Sequence, residues 1–457
     1  MAIRLYNTFS GKKETFKPIN PPEVKLYQCG PTVYAEAHIG NLRTYIANDI
    51  LRRALEYDGF RVNQVMNITD VDDKMIKRSR EEKTNLKEIA SKYEKVFLSD
   101  MEALNILRPA SLLRATENIE EMIRLIEKLI KIGAAYKSAN GIYFDISKSD
   151  NYGRLAKLKI KNSAVSRILK DEYDKENPRD FALWKFRAEE DGEVFFDAPF
   201  GAGRPGWHIE CSAMAMDALG ETLDIHTGGH DLIFPHHTNE IAQSEAATGK
   251  TFSRYWLHTG FVNMENDKMS KSLGNVITLS DVVKRNFHPL AFRYLALTLH
   301  YRTPMRFSWE ALEASQTALL KLVRHFTEFQ SESNGGKINN EYAKNFKEFL
   351  NDDLDTPRAL ALAWRLIKDG NVSDSDKIAT LLDFDRVLGF NLEKLAEEFK
   401  KTIELIPEEI KSLVEEREKA RKEKNFKKSD ELRKKIEEQG YEIEDELAGF
   451  KIKRNKF

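Results

Sequence analysis

Between residues 24 and 70 the chain changes period twice, and this alternation constrains its fold more than any other feature. VKLYQCG (24–30) is a short apolar run that stops at a glycine. HIGNLRTYIANDILRRALEYDG (38–59) then places Leu42, Ile46, Ile50, Leu51 and Leu55 at helical spacing, and Gly59 stands where the helix would close. FRVNQVMNITD (60–70) returns to a strand pattern. Strand, helix and strand joined through a glycine turn make a βαβ unit, which implies a parallel sheet. The expected fold class is α/β.

Residues 84–135 read as two amphipathic helices interrupted at Arg108-Pro109. The stretch 138–193 is polar and strand-poor, with GIYFDIS (141–147) as its expected strand, and reads as an insertion that splits the sheet. The sheet is expected to resume at TLDIHTGG (222–229), with Gly228-Gly229 as its turn, before a helix from His236 to about Thr248. ATGKT (247–251) has the look of a phosphate loop's end. Ser244 stands where GxxxxGK[ST] needs its first glycine, so this is a helix end. Helical patterns over 309–332, 340–370 and 376–402 predict a bundle, and 407–440 a final helical pair.

At 457 residues the chain exceeds one hydrophobic core. With 41% hydrophobic and 32% charged residues it reads as soluble and globular. No run approaches 18 apolar residues, so no membrane helix is expected. MAIRLYNTFSGKKETF lacks the apolar stretch of a secretory signal, which predicts a cytoplasmic location. Two cysteines, Cys29 and Cys211, make no disulfide framework and read as free thiols or metal ligands. The net charge of −1 leaves nucleic-acid binding to local patches. One such patch is 417–435, where ten Lys/Arg outweigh four Asp/Glu, and KIKRNKF (451–457) adds four more basic residues. On charge alone this is equally a solvated helix with i,i+4 pairs.

Two separated signatures, PTVYAEAHIGN (31–41) and KMSKS (268–272), together resemble the ATP loops of class I aminoacyl-tRNA synthetases. Cys29, GRPGWHIECSAM (203–214) and FPHHTNE (234–240) narrow the resemblance to the cysteinyl-tRNA synthetase family, from near Tyr6 to beyond Gly440. The resemblance implies a Rossmann-like parallel-sheet catalytic domain split by an insertion, then an all-α helical bundle and a C-terminal helical region. The expected boundaries are 1–120 and 196–255 for the two catalytic halves, with 121–195 as the connective insertion. They continue with 256–308 for the stem-contact region, 309–405 for the bundle and 406–457 for anticodon recognition.

ATP, with Mg2+, is the implied substrate. His38 and Asn41 straddle Gly40 at an expected helix start, where the helix N-terminus favours an anion and glycine allows close approach. Lys268 and Lys271 lie three apart beside Gly274, able to meet the β- and γ-phosphates as charge develops. By resemblance, Gly30, Thr32, His38, Gly40, Asn41, Lys268 and Lys271 bind ATP, and His38, Asn41, Lys268 and Lys271 are catalytic. The family's first signature usually ends in a second histidine. Asn41 replaces it here with a donor that cannot become cationic, which predicts slower adenylate formation or a changed pH dependence.

Cys29, Cys211, His236 and Glu240 match the family's ligands for one Zn2+ per chain. His236 and Glu240 lie four apart, so one helix face presents both, with His237 as the alternative imidazole. Thiolate, imidazole and carboxylate together suit zinc. By resemblance, Cys29, Thr69, Trp207, His226 and Asp231 surround the substrate cysteine, Trp207 as an apolar wall and Asp231 as partner of its ammonium. Asp70, Asp72 and Asp73 read instead as a capped helix start. HTGGHD (226–231) departs from the family at Thr227 and His230, and His230 is left open as a zinc-site neighbour or an adventitious ligand. Residues 417–445 resemble the anticodon-recognition region, with Phe426, Tyr441 and Phe450 as stacking candidates.

The implied activity is ATP-dependent activation of L-cysteine and its transfer to tRNA(Cys), by a monomer. Two alternatives share these features: a cysteine ligase acting on an amino sugar, of the mycothiol-synthesis type, and a non-catalytic tRNA-binding paralogue. The basic C-terminal helices favour tRNA over a small acceptor, and an intact lysine pair favours an enzyme.

Overall fold

A computed structural model describes residues 2–158, 180–264, 276–330, 335–404, 407–423, 425–439, 441–446 and 449–454. Its central sheet holds β1 (Glu23–Gln28), β2 (Arg61–Ile68), β3 (Ser111–Arg114), β4 (Leu223–Gly229) and β5 (Ser253–Thr259), in the order β5-β4-β1-β2-β3. Every neighbouring pair is parallel. Helix α1 (Ile39–Tyr57) joins β1 to β2 as the alternation of periods required. It buries Leu42, Ile46, Ile50, Leu51 and Leu55. Gly59 follows at φ +98°, a conformation that side chains resist.

The strand order decides where a ligand can bind. From β1 the chain fills one side of the sheet with β2 and β3, and only later the other side with β4 and β5. The switch point of the sheet therefore falls at the carboxyl ends of β1 and β4, where open α/β sheets bind their ligands. Cys29 follows β1, and Gly228-Gly229 ends β4, so both arrive there. Central parallel strands are ordinarily apolar, yet β4 buries His226 and Thr227 completely.

Two features depart from the sequence expectation, one just before the insertion and one in the insertion. It carries a four-stranded antiparallel sheet of Ala135–Ser138, Gly141–Phe144, Phe181–Phe186 and Gly203–Pro205. The run FALWKF buries Phe181, Leu183 and Trp184, a short apolar signal outweighed by its charged flanks. The break at Arg108-Pro109 also holds β3, the edge of the central sheet.

Beyond the sheet, two of the three expected bundle helices are divided. Trp309–Gln330 is followed by Asn340–Asn351 and Thr356–Lys368, then by Asp374–Leu388 and Leu392–Glu404. The breaks fall at Asp353-Leu354 and Gly389, all at positive φ. The final pair, Glu408–Lys422 and Phe426–Glu438, is present, but an antiparallel hairpin of Tyr441–Glu446 and Gly449–Arg454 follows it. The C-terminal region is thus not wholly helical. Its Tyr-Glu-Ile-Glu and Phe-Lys-Ile-Lys alternation carried a strand period beneath the charge. Among the described residues, no helix is long and apolar enough to cross a membrane.

Candidate active site and metal centre

The first turn of α1 is locked by the signature itself. Asn41 N donates to His38 Nδ1 at 3.2 Å, and His38 N donates to Asn41 Oδ1 at 3.3 Å, forming a capping box around Gly40. His38 and Asn41 are therefore brought together. The loop before them is held as tightly. Gly30 N donates to Asn67 Oδ1 at 2.8 Å, and a Cβ on Gly30 would lie 1.7 Å from the Asn67 carbonyl oxygen, so only glycine fits. Thr32 pairs with Thr69 across the ends of β1 and β2.

Lys268 and Lys271 lie outside the described residues. The chain that follows them is anchored to α1, with Ile39 N donating to the Ile277 carbonyl at 2.9 Å and His38 bridging to Thr278. The chain before them is anchored to the same helix. Arg43, 1% exposed, donates to the carbonyls of Gly260, Phe261, His300 and Thr303.

The metal candidates converge at the switch point. Helix α2 (Trp207–Leu219) supplies Cys211, and α3 (His236–Thr248) supplies His236 and Glu240 on one face. Cys29 Sγ lies 3.8 Å from Cys211 Sγ and 3.9 Å from Glu240 Oε1, and His236 Nε2 lies 3.1 Å from the same oxygen. One ligand atom from each of the four falls within 4.8 Å of the others, and all four residues are buried. Burial pushes the Cys29 thiol and the Glu240 carboxyl up and the His236 imidazole down. Two sulfurs, one imidazole nitrogen and one carboxylate oxygen, wholly desolvated, fit a divalent zinc-like cation.

The alternative imidazole is also close. His237 Nε2 lies 3.3 Å from Cys29 Sγ, and a second set of Cys29, His226, His237 and Glu240 meets the same 4.8 Å limit. His237 Nδ1, however, is within 2.8 Å of His258 Nε2, whose Nδ1 is within 2.8 Å of Thr8 Oγ1. His226 Nε2 lies 3.0 Å from Glu240 Oε2, and desolvation lowers its pKa to about 3, keeping it a neutral neighbour of the carboxyl.

The other residues expected around the substrate sit at the ends of β2 and β4 and at the start of α2. Trp207 stacks on His236 with centroids 4.0 Å apart and is 38% exposed. Thr69 Oγ1 donates to buried Glu210 at 3.0 Å and accepts from Asn67 Nδ2 at 3.2 Å. Asp231 follows β4, and its charge reaches Cys29. His230 belongs to neither donor set, and its ring meets Phe261 edge-on. Thr227 Oγ1 donates to the Tyr27 carbonyl.

The acidic run is structural. Asp72 caps the helix Asp73–Glu82, Asp70 accepts from Thr116, and Asp73 pairs with Lys185 and Arg204. Thr248 ends α3 and Gly249 caps it, as the failed phosphate-loop match indicated. Of the stacking candidates, Phe426 is 63% exposed, while Tyr441 is buried beside Ile410, Val414 and Ile436 and is unavailable to a base. The Phe450 side chain lies outside the described residues.

Reasoning from sequence missed Glu210, His258 and Tyr27. Glu210 lies inside a quoted motif. His258 and Tyr27 reach the cluster through strand pairing alone, His258 opposite Gly228 and Tyr27 opposite His226.

A switch point with a capped HIGN helix beside it is the arrangement of class I aminoacyl-tRNA synthetases. Residues 15–317 match the family of tRNA synthetases class I (C) catalytic domains. Solved structures with similar folds include a Mycobacterium tuberculosis methionyl-tRNA synthetase with methionyl-adenylate, at TM-score 0.58 and 16% identity, covering 81% of this chain and 92% of that one. A LeuRS–tRNA–LeuAMS complex from Agrobacterium radiobacter K84 aligns at TM-score 0.61 and 12% identity, over 84% and 85%. Sequence relatives are nearer. A Cysteine--tRNA ligase of Brachyspira hyodysenteriae is 44% identical over 99% of both chains. One of Caldicellulosiruptor saccharolyticus is 42% identical over 99% of this chain and 100% of its own. The chain belongs to the cysteine–tRNA ligase family of aminoacyl-tRNA ligases.

Proposed function

We propose that this chain activates L-cysteine with ATP to cysteinyl-adenylate and transfers the cysteine to tRNA(Cys). The observation that carries this reading is the convergence of Cys29, Cys211, His236 and Glu240 at the sheet's switch point. These four would hold Zn2+, which when bound supplies a soft-ligand bond that a substrate thiolate satisfies and a hydroxyl or methyl does not. Discrimination of that kind reaches about 10⁴ without an editing site.

The chain's own residues do the rest. Trp207 closes the side-chain pocket against water. Asp231 attracts the substrate ammonium, and Thr69, its proton already given to Glu210, offers that ammonium an acceptor. His38, Gly40 and Asn41 place ATP on the N-terminal end of α1, with Gly30 and Thr32 forming the adjoining wall. Lys268 and Lys271 neutralise the departing pyrophosphate, whose Mg2+ accompanies ATP. The basic residues of 417–435 and exposed Phe426 meet the RNA. The protein works as a monomer in the cytoplasm.

The test is a pair of assays, cysteine-dependent ATP–pyrophosphate exchange and charging of unfractionated tRNA. Exchange together with charging is expected. Exchange without charging, once damaged tRNA is excluded with a control enzyme, would point to a small-molecule acceptor such as an amino sugar. Absence of both in zinc-loaded protein would leave a non-catalytic RNA-binding role.

A further inference from the structure

The activation scheme leaves Arg204 unused. It lies in the strand Gly203–Pro205, three residues before Trp207 opens α2. The backbone there is seated tightly. Gly206 N donates to the Leu183 carbonyl at 2.8 Å, and a Cβ on Gly206 would lie 2.0 Å from the Ala182 carbonyl oxygen. The Arg204 side chain is buried although it is charged. Its Nε lies 2.9 Å from Oδ1 of buried Asp191, and its Nη2 pairs with Asp73, the first residue of the helix that follows β2. Lys185, opposite Arg204 in the neighbouring strand, reaches the other Asp73 oxygen at 2.7 Å.

A buried guanidinium between carboxylates contributes little net stability, and an apolar side chain of similar length would fill the space as well. What the cation adds is direction, because a planar fork sets two carboxylates at fixed angles. The segments it joins are those of Thr69, four residues before Asp73, and Trp207, three residues after Arg204. A second tie joins the same segments, where Thr69 Oγ1 donates to buried Glu210 at 3.0 Å. Arg204 and Glu210 thus bracket Trp207 along the chain, and their partners Asp73 and Thr69 bracket residues 70–72. The Glu210 contact fixes the two segments at one point, and the Arg204 contact adds a second that fixes their relative direction.

We propose that Arg204 is a positioning residue for the substrate cysteine, its pairing with Asp73 setting the separation between Thr69 and Trp207. This rests on the cysteine-activation reading of the site. A displacement of about 1 Å between two groups that face one ligand is enough to spoil its alignment. The HIGN turn is held independently, by its own capping box and by the Ile277 carbonyl, so the placing of ATP does not depend on Arg204.

The test compares zinc-loaded, full-length wild type with Arg204→Met and Asp73→Asn in cysteine-dependent ATP–pyrophosphate exchange, each below its melting temperature. Arg204→Met keeps the length of the side chain and removes the fork. Its KM for cysteine is expected to rise about tenfold or more, while its KM for ATP stays within about twofold of wild type. Asp73→Asn leaves the buried Arg204–Asp191 pair in place and is expected to raise the cysteine KM about fivefold, so it decides the matter should Arg204→Met fail to fold. Zinc content equal to wild type is expected of both, and zinc loss accompanying a raised KM would assign the effect to the metal cluster and overturn the proposal. Equal rises in the two KM values, or a lower melting temperature with both unchanged, would mean support of the fold alone and would overturn it too. Exchange by wild type, with the cysteine KM of Asp73→Asn within about twofold, would overturn this inference and leave the activation reading standing. A wild-type chain without cysteine-dependent exchange would overturn that reading and this inference with it.

Discussion

Among the described residues, the buried polar cluster around Asp49 and the one at the switch point are built on opposite principles. Where α1 meets the helix Pro289–Leu297, Asp49 Oδ2 receives Arg293 at 2.6 Å and Arg53 at 2.8 Å, while Asp49 Oδ1 accepts from Leu107 N. The other guanidinium donors of Arg293 reach the carbonyls of Leu388, Leu104 and Asn105. Opposite charges meet and their hydrogen-bonding capacity is used. At the switch point, Cys29, Cys211 and Glu240 crowd together with neutral imidazoles, all groups that offer lone pairs, and among the described residues their side-chain polar contacts are to one another, to histidines and to Tyr27, with no Lys or Arg pairing to them. Equal burial thus carries different meanings. A cluster balanced from within is scaffold, whereas a cluster of like-natured donors is complete only with something brought from outside.

The largest effect should come from unbalancing the first cluster. Arg293→Met leaves Asp49 buried with its principal partner gone, and is expected to cost about 3–5 kcal/mol in thermal or denaturant unfolding. Zinc content at low temperature should stay as in wild type. Replacing Asp49 with leucine in the same chain should recover much of the loss, and failure to recover any would show that packing, not charge, is what Arg293 supplies.

Breaking the second cluster should show the reverse pattern. Cys211→Ser is nearly isosteric, so the zinc-free fold should melt within a few degrees of wild type. Its zinc content should fall to near zero, and cysteine-dependent exchange should drop by about 100-fold or more. Metal analysis of the purified variant checks this, and unchanged zinc would remove Cys211 from the site.

A milder like-charge pair sharpens the contrast. Asp100, partly buried near Glu36, is pushed up to about 7 by desolvation and then by that neighbouring carboxylate. Because its folded pKa exceeds its unfolded one, its contribution is full below about pH 4 and is lost as pH rises through about 7. Asp100→Asn should therefore gain stability relative to wild type above neutrality, by about 1 kcal/mol after allowing for solvent screening, and little below pH 4. Equal differences at pH 4 and pH 8 would refute the assignment.

The smallest effect concerns Asn41. Asn41→His exchanges one donor for another that can charge, so the exchange rate should change by less than about tenfold. An inflection should appear in its pH profile near about 6.5. An identical rate and profile would count against any contribution of charge at that position.

How much of this was legible without coordinates differs between fold and site. The βαβ core was, because the period changes from two to 3.6 and back within residues 24–70. Phe181–Phe186 and the C-terminal hairpin were not, since short strands inside charged stretches carry weak local signals and form only when partners pair with them. The four residues that converge at the switch point were legible because each lies within a longer motif. His258 and Tyr27 were not, because nothing in YWLHT or KLYQC marks them as polar partners. Only the registers pairing Gly228 with His258 and His226 with Tyr27 bring them to the cluster. The choice between His236 and His237 was narrowed by spacing but needed three dimensions to see that His237 also answers to His258.

Helix α1 has mechanical meaning as well. Its 19 residues make a rod about 28 Å long. Near one end Arg43 grips the backbone on the approach to the KMSKS sequence, and toward the other Arg53 holds the carbonyls of Arg386 and Asn105. A rod of that length turns a tilt of about 2° into a displacement of about 1 Å at its far end, a shift on the scale that costs an enzyme about 100-fold in rate. A substitution around Leu388 can therefore displace His38 by leverage, without touching any group at the switch point.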